Sequence, residues 1–179
     1  MTTAGYHPAF IALGVQFANT QTQQAVAANP SLPPVYVETS WWPLPMASQN
    51  PSTEELVTTM HKYAKGDTID FDDEEGAESW LLWAKSASAC GASLTVTCVL
   101  NHAAATRNWD AGGIEAPIAK LTLSNENPQP SPCFAMLRLT TKAIVYDKAL
   151  THPTQSIWNC NPKNVVLLTA AQQAQLNSL

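Results

Sequence analysis

The sequence predicts an α/β fold in which parallel sheet layers are flanked by helices, and three observations carry that prediction. Two short apolar runs, Phe10 to Val15 and Val35 to Thr39, bracket a polar stretch with helix-forming composition. The connections between these pieces are short, as they are in a strand–helix–strand unit of a parallel layer. From Pro51 to Ala104 the chain carries helix signals, and strand-like alternation returns only near Phe134.

Phe10-Ile11-Ala12-Leu13-Gly14-Val15 follows a Gly-Tyr-x-Pro turn and reads as a buried strand. Thr20 to Ala28 reads as a short helix, stopped by Asn29-Pro30. Val35-Tyr36-Val37-Glu38-Thr39 is rich in β-branched residues and lies between Pro33-Pro34 and Trp41-Trp42-Pro43, so it is the second strand. Pro51-Ser52-Thr53-Glu54-Glu55 opens the clearest helix. Ser52 or Thr53 is positioned to cap it, carboxylates suit its positive end, and Leu56, Met60 and Tyr63 recur on one face. Gly66 ends it, at a place that calls for positive φ.

Seven of the fourteen acidic residues fall between Asp67 and Glu78. The spacing there reads as a solvated acidic loop and helix N-terminus, because carboxylates favour the first turn. Ser79 to Ala89 forms an amphipathic helix closed by Cys90-Gly91. Leu94 to Ala104 forms another, with Thr95 as a cap and Val96, Val99 and Leu100 facing inward. Trp109 to Cys133 is loop-rich, with Gly112-Gly113 and prolines that include Pro128, Pro130 and Pro132. Phe134 to Leu139 and Ala143 to Tyr146 read as strands in a hairpin-like pair, and Val165-Val166-Leu167-Leu168 as a strand or the start of a last helix.

Composition narrows the function classes. Apolar residues make up 45%, an ordinary share, but charged residues only 13%, against roughly a quarter in typical domains. A surface made polar by Asn, Gln, Ser and Thr suits an extracytoplasmic protein. A net charge of −5 with no basic run argues against a nucleic-acid or anionic-membrane partner. No apolar stretch approaches the roughly 20 residues that span a bilayer. Met1 to Pro8 has neither the basic nor the apolar region of a signal peptide. Cys90, Cys98, Cys133 and Cys160 fit no zinc-site spacing. They read as two disulfides in an oxidising compartment, or alternatively as four buried thiols, and four cysteines permit three connectivities.

No motif calls for catalysis, a metal or a cofactor. Numbered from Asp70, a calcium-binding EF-hand loop wants glycine sixth and glutamate twelfth, where the chain has Glu75 and Leu81. The histidines at 7, 61, 102 and 152 are scattered, and nucleophile-elbow, P-loop and dinucleotide fingerprints are absent from the sequence. The expectation is therefore a binding protein and not an enzyme. In an open α/β sheet, ligands sit outside the carboxyl ends of the strands. Phe17 follows the first strand and Trp41-Trp42 the second, which makes these aromatics candidates to line a cleft. The alternative places one tryptophan in the core and the other on a hinge or interface.

Taken in order, several segments resemble the substrate-binding proteins of branched-chain amino-acid ABC transporters, in the type I periplasmic-binding-protein superfamily. They are Ala4-Gly5-Tyr6-His7-Pro8-Ala9-Phe10; Asn50-Pro51 opening a helix that ends at Lys62-Tyr63; Cys90-Gly91-Ala92-Ser93-Leu94-Thr95 with Cys98; Trp109 to Pro117; Pro132-Cys133; and Cys160 to Val166. The resemblance covers nearly the whole chain and is to the C-terminal portion of such a protein. It implies an incomplete two-lobed fold: residues 1–72 in the C-terminal lobe, 73–130 returning as helices to the N-terminal lobe, and 131–179 forming hinge strands and a disulfide-pinned tail. It implies disulfides Cys90–Cys98 and Cys133–Cys160. It also implies a small polar solute held between lobes, with Phe17, Asn19, Trp41 and Trp42 presented from one side, and delivery to an ABC permease by the intact parent.

Two departures qualify the resemblance. Such proteins are longer, and nothing here corresponds to their opening lobe, so the chain is expected to be a fragment that exposes apolar faces and self-associates. Amino-acid-binding members usually carry Glu-Gly just before the strand at Val35, where this chain has Pro33-Pro34. A missing carboxylate there argues against tight amino-acid binding. The rival reading is a self-sufficient interaction or sensory module derived from the same architecture.

Overall fold

The computed structural model describes residues 7–121, 131–166, 168–169, 171–172 and 175. The α/β class is present. Strand β1 (Ile11–Leu13) pairs parallel with β2 (Val35–Thr39), in the register Ile11 to Val35 and Leu13 to Val37. Helix α1 (Thr20–Ala28) makes the crossover between them. Asn19 starts α1 by accepting a hydrogen bond from the Thr22 N–H through its side-chain oxygen.

The expected parallel layers are corrected to one mixed sheet of order β1-β2-β5-β6. Strand β5 (Ala135–Leu139) runs antiparallel to β2, and β6 (Ile144–Tyr146) antiparallel to β5. The reason is local. The Thr140 hydroxyl accepts from the Lys142 and Ala143 N–H groups and donates to the Ala143 carbonyl, closing a tight turn that only an antiparallel pair can use.

Alternation along β2 and β5 divides the sheet into two faces. Val35, Val37, Leu137 and Leu139 form a buried cluster, joined by Ile11, Leu13, Ala18, Val26 and Ile144. The opposite face carries Ala12, Tyr36 and Met136. With Phe10, Phe134 and Leu150 they line an open apolar trough of about 280 Å³.

Helix α2 (Pro51–Tyr63) is capped by Asn50, not by Ser52 or Thr53 as expected. The Asn50 side-chain oxygen accepts from both the Ser52 and Thr53 N–H groups. Proline at the first helical position fixes this start, since its missing N–H is one the helix leaves unpaired anyway. The helix ends at Tyr63, which is 74% exposed and lies off the packed face, and Gly66 takes φ +92° in the turn beyond.

The acidic stretch and the following apolar pattern fuse into one helix, α3 (Phe71–Cys90), of 20 residues. Asp70 caps it, accepting from the Asp72 N–H, while Asp73 reaches back to accept from the Asp70 N–H. Helix α4 (Val96–Ala105) is capped by Thr95 as expected and packs on α3. A Cys90–Cys98 disulfide clips the two helices at their shared end, and Cys133–Cys160 joins the start of β5 to the tail. Both are the pairs the resemblance implied.

Val96 and Leu100 are not turned inward. Val96 is 77% exposed and Leu100 53%, and of the α4 residues only Ala103 is buried. Two further strands pair antiparallel: β3 (Arg107–Trp109), which ends where the stretch read as loop-rich begins, and β4 (Ile118–Lys120) inside that stretch. The helical segment thus carries a small sheet as well. The Ala4–Tyr6 part of the resemblance, Leu167, and the prolines at 128 and 130 lie outside the described residues.

Candidate functional site

The site forms where the carboxyl ends of β1 and β2 meet the first turns of α3. Because β1 and β2 are parallel, the chain leaves both on the same side of the sheet. Val15 and Ala18 follow β1; Thr39 ends β2; Pro43, Leu44 and Pro45 come next. Together with Phe71, Glu74, Leu137 and Ile144 they enclose a cavity of about 20 Å³, enough for one water-sized group. All of its walls are apolar except Thr39 and Glu74. The Thr39 hydroxyl is occupied, accepting from the Trp41 N–H at 3.0 Å and donating to the Trp41 carbonyl at 3.1 Å.

Glu74 is the unusual member. Its side chain is 3% exposed and its Oε1 has no hydrogen-bond partner. Burial, with the neighbouring charges of Asp73 and Asp70, pushes its carboxyl up to about 9. Helical spacing explains its place: Phe71, Glu74 and Glu78 lie at i, i+3 and i+7, on the face of α3 turned toward Trp41, Glu115 and Trp109.

A second carboxyl lies further along that face. Glu115 is 7% exposed and hydrogen-bonded to Glu78; burial, then the Glu78 charge and hydrogen bond, then the Asp110 charge raise its carboxyl. Glu78 Oε1 also accepts from Trp109 Nε1 at 3.2 Å. The loop carrying Glu115 is tied on both sides: the Trp42 N–H donates to the Ile114 carbonyl at 2.7 Å, and the Ala116 N–H to the Ser40 carbonyl at 2.7 Å. From the start of α2, Asn50 Nδ2 donates to the Gly113 carbonyl at 2.7 Å and Ser52 Oγ to the Gly112 carbonyl at 2.5 Å. Gly112 and Gly113 adopt φ +71° and +106°, which suits glycine and bends the loop so that these carbonyls face α2.

The four residues expected to meet a solute divide. Trp41 stands beside the cavity wall, edge-on to Phe71 with ring centroids 5.3 Å apart, and its buried Nε1 has no acceptor. Trp42 is core: it packs edge-on against Trp158, near the Cys133–Cys160 disulfide, and its Nε1 donates to the Met46 carbonyl at 3.1 Å. Phe17 sits past β1, 41% exposed, and Asn19 holds the end of α1 with both ends of its amide committed, to Thr22 N–H and to the Gln16 carbonyl. Neither Phe17 nor Asn19 lines the cavity.

Sequence reasoning missed Glu74, Glu78 and Glu115. The acidic run was read as solvated throughout; Asp67, Asp72 and Glu75 are exposed, Asp70, Asp73 and Glu78 are half-buried, and Glu74 is buried. An aromatic at the start of a helix, with acids three and seven places behind it, was the available signal. Asp70, Asp72 and Asp73 do occupy the helix N-terminus, as expected.

Elsewhere, Cys90 Sγ, Cys98 Sγ and a ring nitrogen of His102 lie within 4.8 Å of one another, with both sulfurs held in the disulfide. No described helix is long and apolar enough to cross a membrane. No protein-family model, curated protein or solved structure matches the chain.

Proposed function

We propose that this chain supplies one side of the cleft and the hinge of an extracytoplasmic solute receptor that feeds an ABC permease. On this reading the mechanism is binding and lobe closure, with no covalent chemistry. The observation that carries it is the position of the cavity. It lies past the carboxyl ends of two parallel strands, where open α/β sheets bind their ligands, and it holds a buried carboxyl whose Oε1 has no hydrogen-bond partner. Two disulfides suit an oxidising, extracellular environment and agree with it. The sequence resemblance supports the same class.

A thermal-shift screen of the purified chain against neutral sugars, small carboxylates, amino acids and small amines tests this. A true solute raises the melting point according to its concentration relative to Kd, by about 2.7 kcal/mol of stability at a hundredfold excess. If no class raises it, the receptor reading fails. One observation favours the rival, an interaction module. Trp83, Leu94, Val96, Val99 and Leu100 line an open groove of about 360 Å³ on the α3–α4 hairpin. A cooperatively folded monomer that no solute stabilises supports that alternative.

A further inference from the structure

A buried carboxyl beside a water-sized space poses a definite chemical question: what fills the space and meets Oε1? A resident water does so weakly. A metal ion is a poor fit, because hard cations gather about six oxygens, whereas these walls offer Glu74, an occupied threonine hydroxyl and otherwise hydrocarbon. An anion is worse, with Asp70 and Asp73 adding negative potential at the same helix end. A primary ammonium group is the size of a water and donates hydrogen bonds, and the rest of the solute would stay outside the cavity. The ammonium's positive charge also suits the aromatic ring of Phe71.

We infer that Glu74 and the cavity beside it recognise the ammonium head of a primary amine, in a solute that carries no carboxylate. This rests on the receptor reading and gives it a solute class. Guanidinium and quaternary ammonium groups are too large for a space of about 20 Å³. α-Amino acids are disfavoured because their carboxylate meets the same acidic surroundings.

Binding is coupled to a proton. With its carboxyl raised to about 9, Glu74 is neutral in the empty protein at pH 7, and the charged amine draws it into the ionised form. The carboxyl proton goes to solvent as the carboxylate–ammonium pair forms. Asp70 and Asp73 are the charged groups acting on Glu74. The other wall residues, from the turn after β1, from β2 and the turn after it, and from β5 and β6, carry no titratable group.

The test is calorimetric titration of the full chain with methylammonium and n-butylammonium chloride at pH 7, in two buffers of different ionisation enthalpy. Tetramethylammonium, n-butanol and n-butyrate serve as comparisons. The expected result is binding of the primary amines alone, release of close to one proton per amine, and at least a tenfold loss of affinity in Glu74→Gln. If Glu74→Gln does not fold, the proton count and the size discrimination in the unmodified chain decide. Amine binding without proton release, equal binding of tetramethylammonium, or binding undiminished in folded Glu74→Gln overturns the inference, leaving the cavity with a resident water only. A neutral or anionic solute that binds where amines do not overturns it while sparing the receptor reading. Absence of any binding solute overturns both.

Discussion

Asn50 holds two parts of the molecule with one side chain: its oxygen caps α2, and its Nδ2 donates to the Gly113 carbonyl 2.7 Å away. The second contact ties α2 to the loop whose Glu115 forms a backbone bridge with Trp41. Local chemistry therefore shapes the site from 63 residues away.

Replacing Asn50 separates these roles. Asn50→Ala loses a cap, worth about 1 kcal/mol, and a largely buried hydrogen bond, worth about 1 kcal/mol more plus the cost of stranding the carbonyl. The expected loss is about 2–3 kcal/mol in urea denaturation. Asn50→Asp keeps the cap and loses the Gly113 bond, so about half the loss should return. Equal losses for the two variants would show that the cap contributes nothing, and no loss in Asn50→Asp would show the same of the Gly113 contact.

Stability should fall as pH rises from mildly acid to alkaline. Burial raises the carboxyls of Glu74 and Glu115 above the ordinary 4.5 in the folded protein. The folded state then holds protons that the unfolded chain has already released. Their contribution is complete below the ordinary carboxylate range and disappears as pH climbs toward about 9, the Glu74 value. Urea midpoints at pH 5, 7 and 9 should decrease in that order. Glu115→Gln, which needs no proton to stay neutral, should flatten the profile and at pH 8 match or exceed the unmodified chain by about 1–3 kcal/mol. A steeper profile in that variant would contradict the assignment.

The parts of the fold legible in the sequence were those decided by neighbours in the chain. The β1-α1-β2 unit followed from Asn29-Pro30 and the β-branched run at Val35, and the β5–β6 pair from apolar runs separated by three polar residues. What escaped depended on partners distant in sequence. The β3–β4 pair joins Arg107 to Lys120 with three-residue strands too short to show alternation. Ser52 and Thr53 have cap chemistry, but the Gly113 contact that holds Asn50 in place is not local. Trp41 and Trp42 are adjacent and chemically alike, so only the fold could send one to the Trp158 cluster and the other to Phe71. Glu74 was hidden among acids whose neighbours are solvated.

The two disulfides should differ in what their removal costs. Chain entropy alone assigns about 2.5 kcal/mol to a pair eight residues apart and about 3.5 kcal/mol to one 27 apart, the separations of Cys90–Cys98 and Cys133–Cys160. Packing widens the gap, because Cys133 belongs to the buried cluster of Trp42, Ala116, Ala135 and Trp158, whereas the other bridge clips a hairpin end with exposed flanks. The double substitution Cys133→Ala with Cys160→Ala is expected to lower the melting point more than Cys90→Ala with Cys98→Ala, by calorimetry under non-reducing conditions. The reverse order would mean that the α3–α4 hairpin, and not the tail, anchors the fold.

The α3–α4 groove should govern association of the isolated chain. Val96 and Leu100 are exposed, and with Trp83 and Leu94, also exposed, they form a contiguous apolar patch. Such patches are uncommon on monomeric soluble proteins unless something covers them. Placing charge there removes no core contact, so Val96→Glu with Leu100→Glu should change stability by less than about 0.5 kcal/mol. Glutamate at residue 96 also lies in the first turn of α4, where a negative charge suits the helix end. Sedimentation velocity across a concentration series is expected to show self-association of the unmodified chain and a shift toward monomer in the doubly substituted one. Unchanged association with unchanged stability would argue against this groove and point to another apolar surface, such as the open sheet face at Phe10, Tyr36 and Met136.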